Sequence, residues 1–222
     1  MIDLGSHTTD ASAAPRRGLF SRLAAATALG LAGLLPAPRT AQADTHQDNG
    51  PNWPPKLRAR HRQVVDAIEV NSGFPLAFAY SFVAPNAPGT ATAVVVLRHM
   101  ALTLAMNNAI WEKYKIGETF KLFDPETKAL ATKNPFLHPK PGVLATDEMA
   151  IDRLLSKGTV FGACNMALMF LSKRLAASAG VSADDAVKEW SANVIPGITL
   201  IPSGTWGVNR AQEAGCTYCA GG

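Results

Sequence analysis

Three cysteines carry most of the chemistry open to this 222-residue chain. Cys164 closes the run Val160-Phe161-Gly162-Ala163-Cys164, and Asn165 and a long apolar segment follow it, so the thiol stands where a strand hands over to a helix. The start of a helix carries partial positive charge, and a thiol placed there is favoured as the nucleophilic thiolate. The plainer reading is a small buried hydrophobe, a common state of free cysteines. Cys216 and Cys219 form a Cys-x-x-Cys pair near the C-terminus. That spacing suits a disulfide, a redox relay with Cys164, or half of a soft Cu(I) site completed by His or Met. No His follows Cys219, so c-type haem attachment is not indicated, and no second Cys-x-x-Cys is present to complete a zinc site.

Other polar groups fall at comparable places. Arg98 and His99 end the apolar run Ala93–Leu97, and Ser203-Gly204 follow Ile198–Ile201. His99 can steer a thiolate, bind an anion or ligate a metal, or serve as a hydrogen-bonded structural residue. The binding pocket is therefore expected to include His99, Asn165, Ser203 and Gly204 around Cys164, with no metal-ligand set assigned. Asn107 and Asn108 line either that pocket or an oligomer contact, and Trp111, Tyr114, Trp190 and Trp206 read as core or interface aromatics. The chain holds no P-loop, Gly-x-Gly-x-x-Gly, Gly-x-Ser-x-Gly or His-Glu-x-x-His, which removes support from nucleotide binding and the common hydrolase classes.

These residues need a scaffold that brings them together. Leu57, Val64, Val65 and Ile68 recur at helical spacing and predict an amphipathic helix over 56–70. Pro75–Ala84, rich in aromatics, predicts a strand. Ala93–Leu97 reads as a strand buried on both faces, followed by a helix over 101–114. Residues 117–142, with Asp124-Pro125, Asn134-Pro135 and His138-Pro139, predict a long irregular insertion of the functional or disordered kind. A short helix capped by Asp147 follows, then a strand over 159–163, helices over 165–179 and 182–192, a strand over 198–201 and a helix over 205–214. Alternation of strands and helices argues an α/β fold: a three-layer α/β/α sandwich with a central, mostly parallel sheet. Ligands bind outside the carboxyl ends of such strands, where Arg98-His99, Cys164 and Ser203-Gly204 all fall.

The first 43 residues read as an address. Arg16-Arg17 precede an apolar stretch from Leu23 to Leu35, and Ala41-Gln42-Ala43 fits a signal peptidase site. The paired arginines mark a twin-arginine signal, cleaved after Ala43. The apolar stretch, at about 13 residues, is shorter than the roughly 20 a membrane span requires. The expected protein is periplasmic, delivered by the twin-arginine translocase, with no stable membrane insertion. The division expected is 1–43 signal, 44–73 lead and helix, and 74–222 an α/β domain with the 117–142 insertion and a Cys-x-x-Cys tail. The charge of +4 includes four Arg of the signal against Asp3 and Asp10; the remainder holds 17 basic and 15 acidic residues, a net of +2. That balance argues against a nucleic-acid partner, and 47% hydrophobic residues argue against disorder.

Three segments together resemble the DsrE-like family: Val160–Asn165, Val194–Gly204 with its Pro-Gly, hydrophobic, Pro-Ser-Gly order, and Arg210–Gly215. The resemblance covers about residues 75–218. It implies a small α/β subunit with a sheet of about five strands, often homo-oligomeric, in which the cysteine matching Cys164 holds sulfur as a persulfide. The implied function is a periplasmic sulfane-sulfur carrier or sulfur-transfer protein, with no cofactor beyond that persulfide and a donor or acceptor protein yet to be identified. The lack of a neighbouring acid/base pair in sequence favours a carrier over a turnover enzyme. Readings of a different class are a non-catalytic module for a small ligand or copper, and a structural subunit of an exported complex. Replacing Arg16 and Arg17 by Lys is expected to leave unprocessed precursor in the cytoplasm, because the translocase reads the paired guanidinium groups; immunoblotting of fractionated cells checks this.

Overall fold

Continuous burial of Ala93–Leu97 identifies the strand around which the domain is organised. In the structure, a computed structural model that describes residues 51–222, it is β2 (Ala91–Leu97). The export signal expected at 1–43 lies outside the described residues. The described residues belong to one compact unit. Five strands build it: β1 (His61–Ala67), β2, β3 (Val160–Cys164), β4 (Ile198–Ile201) and β5 (Thr217–Ala220). They form one sheet in the order β4-β3-β2-β1-β5, parallel throughout. Helices cover both faces, as the three-layer α/β/α reading requires.

The alternation of side chains sorts the two faces. Val65, Val95 and Leu97 point into the larger core, which is covered by α1 (Phe74–Val83), α4 (Ile151–Ser156), α5 (Asn165–Leu175) and α6 (Ala183–Ala192). The short helices α2 (Asn108–Lys113) and α3 (Ile116–Phe120) pack on the same side through Ile110, Trp111 and Ile116. Val64, Val94 and Val96 point the other way, beneath α7 (Gly204–Glu213) and Trp53. Trp53 is 4% exposed and donates its indole N–H to the Phe161 carbonyl at 3.3 Å. It lies over Gly162 so closely that a Cβ there would stand 2.6 Å from its ring. The segment before β1 is thus part of the second core rather than a loose lead.

Two elements differ from the sequence reading, and they exchange identities. Residues 61–67 form the strand β1 rather than a helix; Val64 and Val65 face opposite sides of the sheet, and buried Asp66 interrupts the apolar run that marks a central strand. Residues 74–83 form helix α1 rather than a strand. Pro75 occupies its first turn, where the missing N–H costs nothing, and Leu76 and Ala79 meet the sheet one turn apart. Aromatic content alone suggested extension there, and packing between β1 and β2 overrides it. The boundary expected at 73/74 falls inside the unit.

Smaller departures follow the same logic. The 101–114 helix is a 3-10 stretch, His99–Ala105, and then α2, whose cap is Asn107. Asn107 also donates to Asn193 Oδ1 at 2.8 Å, and Asn108 accepts from the Asn134 amide, so both asparagines are structural. The 117–142 insertion is packed: Asn134 donates to the carbonyls of Leu104 and Met106, and Ala131, Phe136 and Leu137 are buried. Thr146, rather than Asp147, caps the turn before α4; Asp147 accepts from the Gly142 amide instead. Helix 165–179 ends at Leu175, before a 3-10 turn at Ala177–Ala179. The Cys-x-x-Cys tail contains β5, an edge strand. Among the described residues no helix is long and apolar enough to cross a membrane.

Trp53→Ala should empty the second core over Gly162 and lower stability by about 3–5 kcal/mol, read as a drop in the urea midpoint.

Candidate functional site

Chain order dictates where an opening must form. β3 leads into α5 on the larger core's face, whereas its neighbour β4 leads into α7 on the opposite face. Helices leaving adjacent strands in opposite directions part at the carboxyl edge, the switch-point crevice of open α/β sheets. A cavity of about 360 Å³ occupies that place, lined by Arg98 and His99 after β2, Cys164 at the end of β3, residues of α5, and Ser203 and Gly204 at the start of α7.

Cys164 is the N-cap of α5. Its Sγ accepts a hydrogen bond from the Ala167 amide at 3.4 Å, and the residue is 5% exposed. The sulfur therefore takes the place of the oxygen that usually satisfies a free amide at a helix start. Ser203 does the same for α7, accepting from the Trp206 amide at 3.2 Å. The positive ends of both helices thus border one cavity.

Arg98 is the nearest fixed charge. Leu97 pairs with Ala163 in register, which sets Arg98 beside Cys164 across the strand pair. Its Nε and Nη2 donate to Asp66 Oδ1 and Oδ2 at 2.6 and 2.9 Å, a bidentate pair. The Asp66 side chain is 5% exposed and also accepts from the Tyr218 hydroxyl at 3.1 Å. The hydrogen bond to Asp66 holds the Arg98 guanidinium above its ordinary range against the opposing effect of burial; the charges of Asp66, Tyr218 and Cys164 add to it. Burial and then the bond to Asp66 push the Tyr218 phenol up. The Arg98 stem crosses the first turn of α7, where a Cβ on Gly204 would overlap its methylenes. Glycine at 204 is thus a condition of the Arg98 position.

His99 has φ 51, the left-handed region, uncommon for a residue with a Cβ. Its ring is 64% exposed at the cavity rim, with Nδ1 3.2 Å from Glu69 Oε1. No family model, no curated protein and no solved structure matches the chain. The chemistry of the cavity therefore rests on its own residues.

Of the expected pocket residues, His99, Cys164, Ser203 and Gly204 line the cavity. Asn165 does not; its amide lies along α5, 3.9 Å from the Met169 sulfur one turn on. The wall that sequence reasoning missed is the α5 stripe Met166, Phe170 and Arg174, with Met100 facing it. Its signal was the spacing of four residues on a helix that begins at the thiol. Met166 and Phe170 are each 65% exposed. Among the described residues no group of three or more His, Cys, Asp or Glu side chains is placed to hold a metal ion.

All three cysteines are free thiols. Cys216 is buried in the second core, while Cys219 packs against the larger one. Residues three apart along a strand point to opposite faces, and about 10 Å of extended chain separates their Cα atoms, beyond the reach of a disulfide. In the structure Cys216 and Cys219 thus stand as two separated thiols rather than a disulfide. Burial pushes the Cys216 thiol up, with Arg62 partly opposing. Without reductant, iodoacetamide should label half-buried Cys219 in the native protein and Cys216 only after unfolding; peptide mapping checks this, and a disulfide would leave both unlabelled until reduced.

Proposed function

We propose that the protein handles sulfane sulfur through Cys164, as a persulfide carrier of the DsrE-like kind that its sequence resembles. One observation carries the reading: a thiol capping a helix start at the switch-point cavity, with Arg98 held beside it by Asp66. In the transfer, the Cys164 sulfur bonds to the terminal sulfur of a donor persulfide as that sulfur's bond to the donor thiol breaks. The donor thiol leaves with the electron pair and the proton given up by Cys164. One S–S bond replaces another, with no net oxidation. The hydrogen bond to Sγ comes from a backbone amide rather than a side-chain base, which suits a carrier better than a turnover enzyme.

The rest of the reading follows from this role. Export by the twin-arginine route delivers the folded carrier to the periplasm. A homo-oligomer formed over the exposed Met166–Phe170 face covers apolar surface beside the cavity mouth. The second reading, a module that binds a small ligand without covalent chemistry, draws on the same cavity and its apolar wall.

Cys164→Ser should abolish the gain of one sulfur atom from a polysulfide donor, read by intact-mass spectrometry, while the unfolding free energy from urea titration changes by less than about 2 kcal/mol. Cys216→Ser with Cys219→Ser should leave uptake in place. Uptake undiminished in Cys164→Ser would overturn the carrier and favour the ligand-binding module.

A further inference from the structure

The cavity over Cys164 is lined by two arginines, His99 and the hydroxyl residues Ser203 and Thr205, and no Asp or Glu is among its lining residues. The two guanidinium groups differ in what they already hold. Arg98 spends Nε and Nη2 on Asp66. Arg174 has no carboxylate partner among the described residues; its guanidinium stands 5.9 Å over the Phe120 ring. The adjacent Lys173, by contrast, reaches to 4.0 Å from Asp184 Oδ1 and does not line the cavity.

Position along α5 gives the spacing. Residue 174 lies ten positions beyond Cys164, about 15 Å along the helix axis, and long helical side chains lean back towards the N-terminus. Arg174 thus lines the end of the cavity away from the thiol, exposed and with its guanidinium over Phe120. Met166, Phe170 and Leu171 form an apolar wall between the two, opposite Met100. A ligand filling this space needs sulfur at one end, a short aliphatic body, and an anion at the other.

We infer that the donor served by this pocket is a small organic persulfide whose aliphatic chain ends in a carboxylate, which Arg174 receives. The assignment rests on the carrier reading of Cys164. Transfer follows the exchange already given, with the carboxylate-bearing thiol as the leaving group. A carboxylate–guanidinium contact is a charge-assisted bond with a planar, two-pronged geometry. It selects an anionic donor over a neutral one of similar length.

The test compares mercaptopropionate persulfide, which carries the carboxylate, with mercaptoethanol persulfide, which is neutral. Loading of Cys164 in the full processed chain is followed by intact mass. The expected ratio of loading rates is about tenfold in favour of the carboxylate. Arg174→Gln should reduce the ratio to about twofold or less, and Lys173→Gln should leave it unchanged. Equal rates in the wild type, or a ratio that survives Arg174→Gln, would overturn the inference while leaving the carrier standing. If neither donor loads Cys164, the carrier reading falls. Butyrate, which has no sulfur to transfer, then decides the anion site: Arg174-dependent slowing of Cys164 alkylation upholds it, and no slowing overturns it.

Discussion

A buried carboxylate in the middle of a parallel sheet must find a cation or be neutralised, and Asp66 meets that demand in a way that organises the carboxyl edge. Its bidentate pair with Arg98 joins β1 to β2, and the Tyr218 hydroxyl joins β5 to the same carboxylate. The Arg98 stem then fixes how closely the first turn of α7 can approach. Three strands and one helix are positioned through a single side chain. The thiol at the end of β3 inherits a neighbouring charge that cannot swing away, because both oxygens of Asp66 hold the guanidinium in plane.

The switch point explains why the reactive groups share one cavity although they come from distant parts of the chain. β2, β3 and β4 are sheet neighbours, so their carboxyl ends lie side by side whatever the length of chain between them. The long insertion between β2 and β3 supplies no lining residue and comes near only where Phe120 lies under Arg174. Its contacts run to the 3-10 stretch and α2 through Asn134, on the larger core, and among the described residues the cavity is built without it. Length and irregularity in that segment express packing, not proximity to the thiol.

The layered α/β architecture and the ends of β2, β3 and β4 were legible because continuous apolar runs bounded by turn residues leave few alternatives. Cys164, His99, Ser203 and Gly204 fell on those ends, and the strand register brings them together. The two elements before β2 were not legible. Asp66 disguises β1 as amphipathic, since a buried charge satisfied by a residue thirty-two positions away has no local signature. In 74–83 Leu76 and Ala79 face a sheet that only tertiary structure supplies, while the aromatics lie outside the fully buried face. Cys216 and Cys219 invited pairing by spacing alone, and the edge strand that separates them depends on β1, whose own identity was hidden. The role of Arg174 was hidden in the same way, because a helix end rich in basic residues reads first as ordinary complementarity to the dipole.

The position of β5 bears on how the chain is made. β1 lies between β2, which follows it closely in sequence, and β5, whose Tyr218 reaches Asp66 across 152 positions. During synthesis from the N-terminus, the side of β1 that will receive β5 stays unpaired until almost the last residues emerge. An unpaired strand edge is a template for pairing with any other extended chain, and contacts of such sequence separation form late and slowly. A nascent or truncated chain ending before Thr217 therefore displays the whole seven-residue border of β1, and only the completed polypeptide moves the sheet's edge onto the four-residue β5.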